Sequence, residues 1–251
     1  MNFLLALLRR NFAADLAAAK LTAVRMVVQP AVYLFVFGHV VGGMLPAQSG
    51  YAAVMAPGMV AIAAVTGPFV TIGGSVISGY YFRTLEAWLL APVSLGTLMA
   101  ATVLGGMVNG LAGVGIVSVL VWLILGLAPQ APAFLVLTAA AGALLFSLFT
   151  LVVLLAPETP DKGQEVFSFL MMPMTFFGCT FYSYDMLEAP FNWLALLLPT
   201  TYIAEGLRAA YTPAAPHMDP SAVLAGLTVA AAILFPLASW AFRRRLGHFT
   251  W

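Results

Sequence analysis

Charged residues are so sparse along this chain that their positions divide it into apolar blocks of membrane length. No Asp, Glu, Lys or Arg lies between Arg25 and Arg83, and none between Glu86 and Glu158. Each of these two blocks has room for two spans, because a helix crossing the hydrocarbon core takes about 20 apolar residues. Two single blocks follow, Val166–Tyr184 and Pro220–Phe242. The pattern predicts six spans, near 26–45, 54–80, 95–125, 133–155, 166–182 and 222–242. Runs such as Phe134–Leu155 do not alternate between polar and apolar positions, so they predict helices rather than barrel strands. Hydrocarbon offers no partner for unpaired backbone groups, which again selects the helix. The expected fold class is all-α and integral to the membrane, with residues 26–251 as a six-span domain.

Three segments break the pattern of plain spans. In residues 1–25, Leu5, Leu8, Phe12, Leu16 and Ala19 recur on one helical face, with Arg10, Asp15 and Lys20 away from it. That arrangement predicts an amphipathic helix lying in the membrane interface. Between spans two and three, Arg83 and Glu86 alternate with Phe82, Leu85, Trp88 and Leu89 before Pro92 ends the stretch. It reads as a short amphipathic helix, too short and too charged to cross. Before the last span, Ala189–Ala204 is uncharged but interrupted by Pro190 and Pro199, and flanked by Asp185, Glu188, Glu205 and Arg208. It is too short to span and too apolar for an exposed loop, so two short helices re-entering the outer leaflet are expected.

Composition sharpens this reading. Hydrophobic residues make up 63% of the chain and charged residues 8%, against roughly 25% charged in soluble domains. The net charge of +1 matters less than its placement. With the N-terminus inside, Arg9, Arg10, Lys20, Arg25, Arg83, Lys162, Arg243, Arg244 and Arg245 all fall on the inner side, and Arg208 alone falls outside. Cytoplasmic loops collect Lys and Arg, so an N-in, C-in topology follows. Cys179 is the single cysteine and has no intramolecular disulfide partner.

The residues available at membrane depth exclude several chemistries. An intramembrane protease needs a nucleophile facing a base. Ser75 has no such partner, since His39 lies near the outer end of the first span, His217 in an outer loop and His248 in the tail. Ion-coupled carriers usually keep an ionisable residue within a span, and the six predicted spans contain no Asp, Glu, Lys or Arg. A channel needs a selectivity element; the Gly-rich third span, with Asn109, is more simply read as helix packing. A permease driven by energy from elsewhere remains. The chain has no G-x-x-x-x-G-K-[ST] phosphate loop, so ATP hydrolysis is expected on a separate protein and this chain is expected to be non-catalytic.

Four stretches carry a family resemblance. Phe82-Arg83-Thr84-Leu85-Glu86-Ala87-Trp88-Leu89-Leu90-Ala91-Pro92-Val93 closely resembles the segment after the second span in permeases of type-2 ABC exporters. Ala56-Pro57-Gly58-Met59 resembles the Pro-Gly start of that family's second span. Residues 173–182, with Pro173, Gly178 and Phe181-Tyr182, resemble the end of its fifth span. Leu198-Pro199-Thr200-Thr201-Tyr202 followed by Gly206-Leu207-Arg208 resembles its outer-leaflet stretch. Cys179 and Thr180 depart from the pattern, where a second small residue is commoner.

The resemblance implies a half-transporter that dimerises and docks two copies of an ABC ATPase, in a bacterial-type inner membrane. It implies a cytoplasmic coupling helix whose docking residues are Phe82, Arg83, Thr84, Leu85, Glu86, Trp88 and Leu89. It implies a path at the dimer interface lined by spans one, two and five, for which Phe69, Asn109, Met171, Met172, Phe176 and Phe177 are the candidates. Glu205 and Arg208 mark the outer re-entrant region, spaced i, i+3 as a pair would be. The chain itself is expected to bind no cofactor; ATP and Mg sit on the partner. Membrane lipid is the surrounding partner, and neither nucleic acid nor a metal is expected. Spans rich in Phe and Met but poor in polar groups favour an amphipathic, lipid-like or drug-like cargo. A polysaccharide or lipo-oligosaccharide cargo, and an ATP-independent carrier, are the alternatives.

Overall fold

A computed structural model of the chain describes residues 27–28, 30–45, 50–82, 94–213 and 218–247. Every regular element among them is helical. The long elements are α1 (Pro30–Met44), α2 (Tyr51–Tyr81), α3 (Leu95–Leu125), α4 (Pro132–Leu155) and α5 (Pro160–Phe177). A single 3-10 turn at Tyr184–Met186 precedes two short helices, α6 (Phe191–Leu197) and α7 (Pro199–Tyr211). The last helix is α8 (Pro220–Gly247).

Among the described residues, α2, α3, α4 and α8 are long and apolar enough to cross a membrane. Helix α2 has 31 residues, about 46 Å at 1.5 Å per residue, more than the ~30 Å hydrocarbon core. Helix α1 is shorter and winds as a π-helix through Leu34–Val41. Helix α5 starts in the polar stretch Pro160–Glu165 and stops at Phe177, so its apolar part is Val166–Phe177.

Local chemistry sets these boundaries. Proline stands at the start of α4, α5 and α7, where its missing N–H costs nothing and its fixed φ favours a helix. The Ser94 hydroxyl accepts the Thr97 N–H at 3.2 Å and opens α3. Gly126, at φ 68°, closes it by donating its N–H to the Trp122 carbonyl.

The core lies where α2, α3, α4 and α7 meet. Small residues permit the close approaches: a Cβ on Gly67 would lie 2.6 Å from the Gly110 Cα, backbone against backbone between α2 and α3. Helix α8 packs along α4 and adds Val223, Leu227, Ala238 and Phe242 to the core, while α1 and α5 are peripheral. Helix α5 buries only Pro160, Gly163, Phe167 and Met174, leaving Val166, Phe169, Met172 and Phe176 exposed on its far side. Helix α1 likewise buries only Leu34 and Gly38. The 13-residue α7 is the opposite case: everything from Ile203 to Tyr211 is buried, although it carries Glu205 and Arg208. It packs among α2, α4 and α8 as an internal helix.

Candidate functional site

The site is built where α5 ends. Beyond Phe177 the chain turns through Gly178 and Cys179, and Cys179 takes a φ of 56°. Irregular backbone at membrane depth is tolerated only where its polar groups find partners inside the protein. Here several of those partners can be named. The Thr200 hydroxyl donates to the Met174 carbonyl at 2.8 Å, and the Tyr182 hydroxyl to the Phe176 carbonyl at 2.7 Å. Both carbonyls belong to the last turn of α5, where no intrahelical donor exists. Helix α6 ends in the same way: Thr201 donates to the Ala195 carbonyl at 2.6 Å and Tyr202 to the Leu196 carbonyl at 2.9 Å. The run Thr200-Thr201-Tyr202 thus places three consecutive hydroxyls on carbonyls of two other helix ends.

Arg208 closes the arrangement. Its Nη2 donates to the carbonyls of Val54 (3.0 Å), Cys179 (3.0 Å) and Tyr182 (3.2 Å), and its Nε to Val54 (3.2 Å). Its Nη1 donates to Glu205 Oε1. The Glu205 carboxylate also accepts the Tyr184 N–H on Oε1 at 2.8 Å and the Met218 N–H on Oε2 at 3.0 Å. Both side chains have no exposure at all. An ion pair taken out of water pays a large desolvation cost, which is offset only when further hydrogen bonds satisfy the remaining donors and lone pairs. This pair meets that condition. It joins the start of α2, the turn after α5, α7 and the residue pair leading into α8.

Glycines let the backbones reach these distances. A Cβ on Gly58 would lie 1.8 Å from the Thr180 carbonyl oxygen, and one on Gly178 2.0 Å from Thr200 Oγ1. Neither position accepts a side chain without backbone movement.

At the other end of the helices a second, polar cluster forms. The Tyr81 hydroxyl, in the last turn of α2, donates to Asp161 Oδ2 in the first turn of α5. Arg245, in the last turn of α8, donates to the Glu158 carbonyl and lies 6.0 Å from the Tyr80 ring. Arg244 lies 5.1 Å over Trp240. Lys162 and Glu158 pair at 2.8 Å with both side chains largely exposed, an arrangement that contributes little to stability.

The sequence-predicted residues fall as follows. Phe82 sits at the end of α2 with 77% of its surface exposed. Arg83, Thr84, Leu85, Glu86, Trp88 and Leu89 lie outside the described residues, as do residues 1–25. Phe69 of α2 stacks on Phe167 of α5 at 3.7 Å between ring centres. Asn109 donates to Thr71 Oγ1, linking α3 to α2. Met171 lines a small cavity with Ala61, Ile62, Val65, Thr175, Thr180 and Thr200 that has room for about one water. Met172 and Phe176 face outward on α5. Phe177 stacks on Phe191 at 6.4 Å. These six residues therefore do not converge on a single cavity; Met172 and Phe176 share an open face, and the others serve contacts between helices.

Glu205 and Arg208 were expected as a pair in the outer region, and their pairing is direct. The carbonyl set around Arg208, the Thr200–Tyr202 hydroxyls and the Tyr81–Asp161 bond carried no role in the sequence reading. Two charges alone in a long apolar stretch, next to a Thr-Thr-Tyr run, are the available signal.

The profile of the ABC-2 type transporter family matches residues 2–212. The chain is 26% identical over 226 residues to the inner membrane transport permease YadH of Escherichia coli K12, covering 89% of this chain and 88% of that protein. The same-named proteins of Escherichia coli O157:H7 and Shigella flexneri match to the same extent.

Proposed function

The chain belongs to the ABC-2 type transporter family, and from that premise we propose that it is the membrane-spanning permease of an ATP-driven exporter in the inner membrane, acting as a homodimer. Two copies of a separate ABC ATPase supply the energy, and the segment Phe82–Leu89 following α2 docks them. The full topology is six spans, N-in and C-in. The end carrying Lys162 and Arg243–Arg245 is cytoplasmic, and the Glu205–Arg208 end faces outward, with α6 and α7 as the re-entrant pair. Residues 1–25 lie as an amphipathic helix along the cytoplasmic interface.

The observation that carries this reading is convergence. Three stretches that resemble the family pattern, around Gly58, 173–182 and 198–208, are far apart in sequence yet meet in one buried network. The fourth, 82–93, follows directly from α2, whose opposite end enters that network through the Val54 carbonyl. The cargo is an amphipathic lipid-like or drug-like molecule. The exposed Val166, Phe169, Met172 and Phe176 face of α5 supports that class, since methionine and phenylalanine offer an adaptable apolar surface.

The test is purification from native membranes with mass spectrometry of whatever accompanies the protein. The expected partner is a soluble ATPase with a phosphate loop at roughly equal stoichiometry. A form lacking Arg83–Leu90 should insert normally and lose that partner. Normal ATPase binding by this deletion would overturn the docking assignment. Transport in vesicles without ATP would replace the exporter by a carrier.

A further inference from the structure

We infer that α2 and α5 move as a single lever during transport, clamped together at three levels by Tyr81–Asp161, Phe69–Phe167 and the Arg208 carbonyl set. The inference rests on the exporter reading. It concerns how a push delivered after α2 reaches the other end of the protein.

The two helices run antiparallel, and the three ties follow in the order that this direction requires. At the cytoplasmic end Tyr81 holds Asp161. In the middle Phe69 lies flat on Phe167, with 8° between the ring planes, and Phe149 of α4 backs the same Phe167 ring at 6.0 Å. At the outer end a single guanidinium holds the Val54 carbonyl of α2 together with the Cys179 and Tyr182 carbonyls after α5. From Tyr81 to Val54 these ties span about 40 Å of helix, the whole depth of a bilayer.

Prolines give the arrangement its consequence. Pro57 and Pro68 lie inside α2 and Pro173 inside α5. Each removes a helical hydrogen bond and marks a place where its helix can bend. All three stand between the middle and outer ties. A bend at any of them is therefore bracketed by fixed contacts on both sides, and one helix cannot bend without the other. Motion of the segment after Phe82 is delivered to the end of α2. The lever passes it to the exposed Phe169, Met172 and Phe176 face of α5 without loss in an intervening hinge. Tyr81, Asp161 and Phe167 are positioning residues in this scheme: they touch no cargo, and they hold α5 to the helix that is pushed.

The experiment uses the full permease–ATPase complex in lipid nanodiscs. Spin labels are placed in one protomer at Ser78→Cys with Gln164→Cys near the inner tie, and separately at Ala52→Cys with Met186→Cys near the outer tie. The native Cys179 is fully buried and stays unlabelled. Both intraprotomer distance distributions are expected to superimpose between nucleotide-free and ATP-trapped complexes. A shift or splitting of either one overturns the lever. As a second readout, Tyr81→Phe removes the inner tie while leaving the ring. It should keep ATPase association and hydrolysis but lower the cargo moved per ATP several-fold. Asp161→Asn keeps an oxygen that accepts the Tyr81 hydroxyl and should retain wild-type coupling. Wild-type coupling in Tyr81→Phe, or equal loss in both variants, overturns the inner tie. A complex that binds no ATPase, or transports without ATP, defeats the exporter reading instead and is recognised by that sign.

Discussion

Replacing Glu205 by alanine tests the buried network most directly. The substitution leaves the Arg208 guanidinium fully enclosed with carbonyl dipoles but no counter-charge. It also strips the Tyr184 and Met218 N–H groups of their acceptor. Removing one member of a buried pair costs about 3–5 kcal/mol. The two backbone donors are part-buried, so each adds at most about 1–3 kcal/mol, partly counted in the first figure because the same carboxylate serves all three groups. The expected loss is thus at least about 3 kcal/mol, a large fraction of the 5–15 kcal/mol that usually holds a fold together. At about 2–4 °C per kcal/mol for a chain of this size, the unfolding midpoint should fall by roughly 6–20 °C. The assay is thermal loss of the monodisperse peak of detergent-solubilised protein. A double-mutant cycle with Glu205→Gln and Arg208→Met separates the pair from its surroundings, and a coupling of about 2–3 kcal/mol is expected. A midpoint within about 2 °C of wild type for Glu205→Ala, or a strictly additive cycle, would refute the reasoning. The pair would then behave as an exposed one, with a contribution of about 0–1 kcal/mol.

The same assay checks three further expectations. Gly58→Ala should destabilise by about 1–3 kcal/mol, because its Cβ meets the Thr180 carbonyl; Gly115→Ala, with nothing within 4 Å, should be neutral or gain up to about 1 kcal/mol in helix propensity. Cys179→Gly should be close to neutral, relief of the left-handed backbone at φ 56° balancing lost side-chain contact. Cys179→Val should cost about 1–2 kcal/mol, since a β-branched residue is poorly accommodated there. Asn109→Ala should cost about 0.6–1.7 kcal/mol, the range for a hydrogen bond between membrane helices, and leave transport by the folded fraction unchanged. Loss of transport at full stability would instead put Asn109 on the path.

Much of the helical architecture was legible in the chain because its signals are local. The charge-free blocks mark the apolar segments. The two short helices before the last apolar segment follow from Pro190 and Pro199 interrupting a run too short to cross. Other features depend on neighbours distant in sequence. Hydropathy carries α5 on to Tyr182, but the helix stops at Phe177 because the turn after it is held by Thr200, Tyr182 and Arg208. Phe69 and Asn109 are path candidates through the family resemblance; that each also makes a contact to another helix is visible only in the fold.

What the sequence by itself determined is which residues avoid water: apolar runs of set length, set apart by a few charges. That information is carried residue by residue, because transfer out of water depends on each side chain's own surface. What only the tertiary structure decided is how the few polar groups left among those helices are satisfied. Glu205 and Arg208 are unremarkable as letters at i, i+3. They become the centre of the buried network because Val54, Cys179, Tyr182, Tyr184 and Met218 arrive around them from three separate stretches of chain. In an apolar interior an unpaired charge or carbonyl is costly, so the satisfaction of these groups is a property of the packed whole, absent from any single segment.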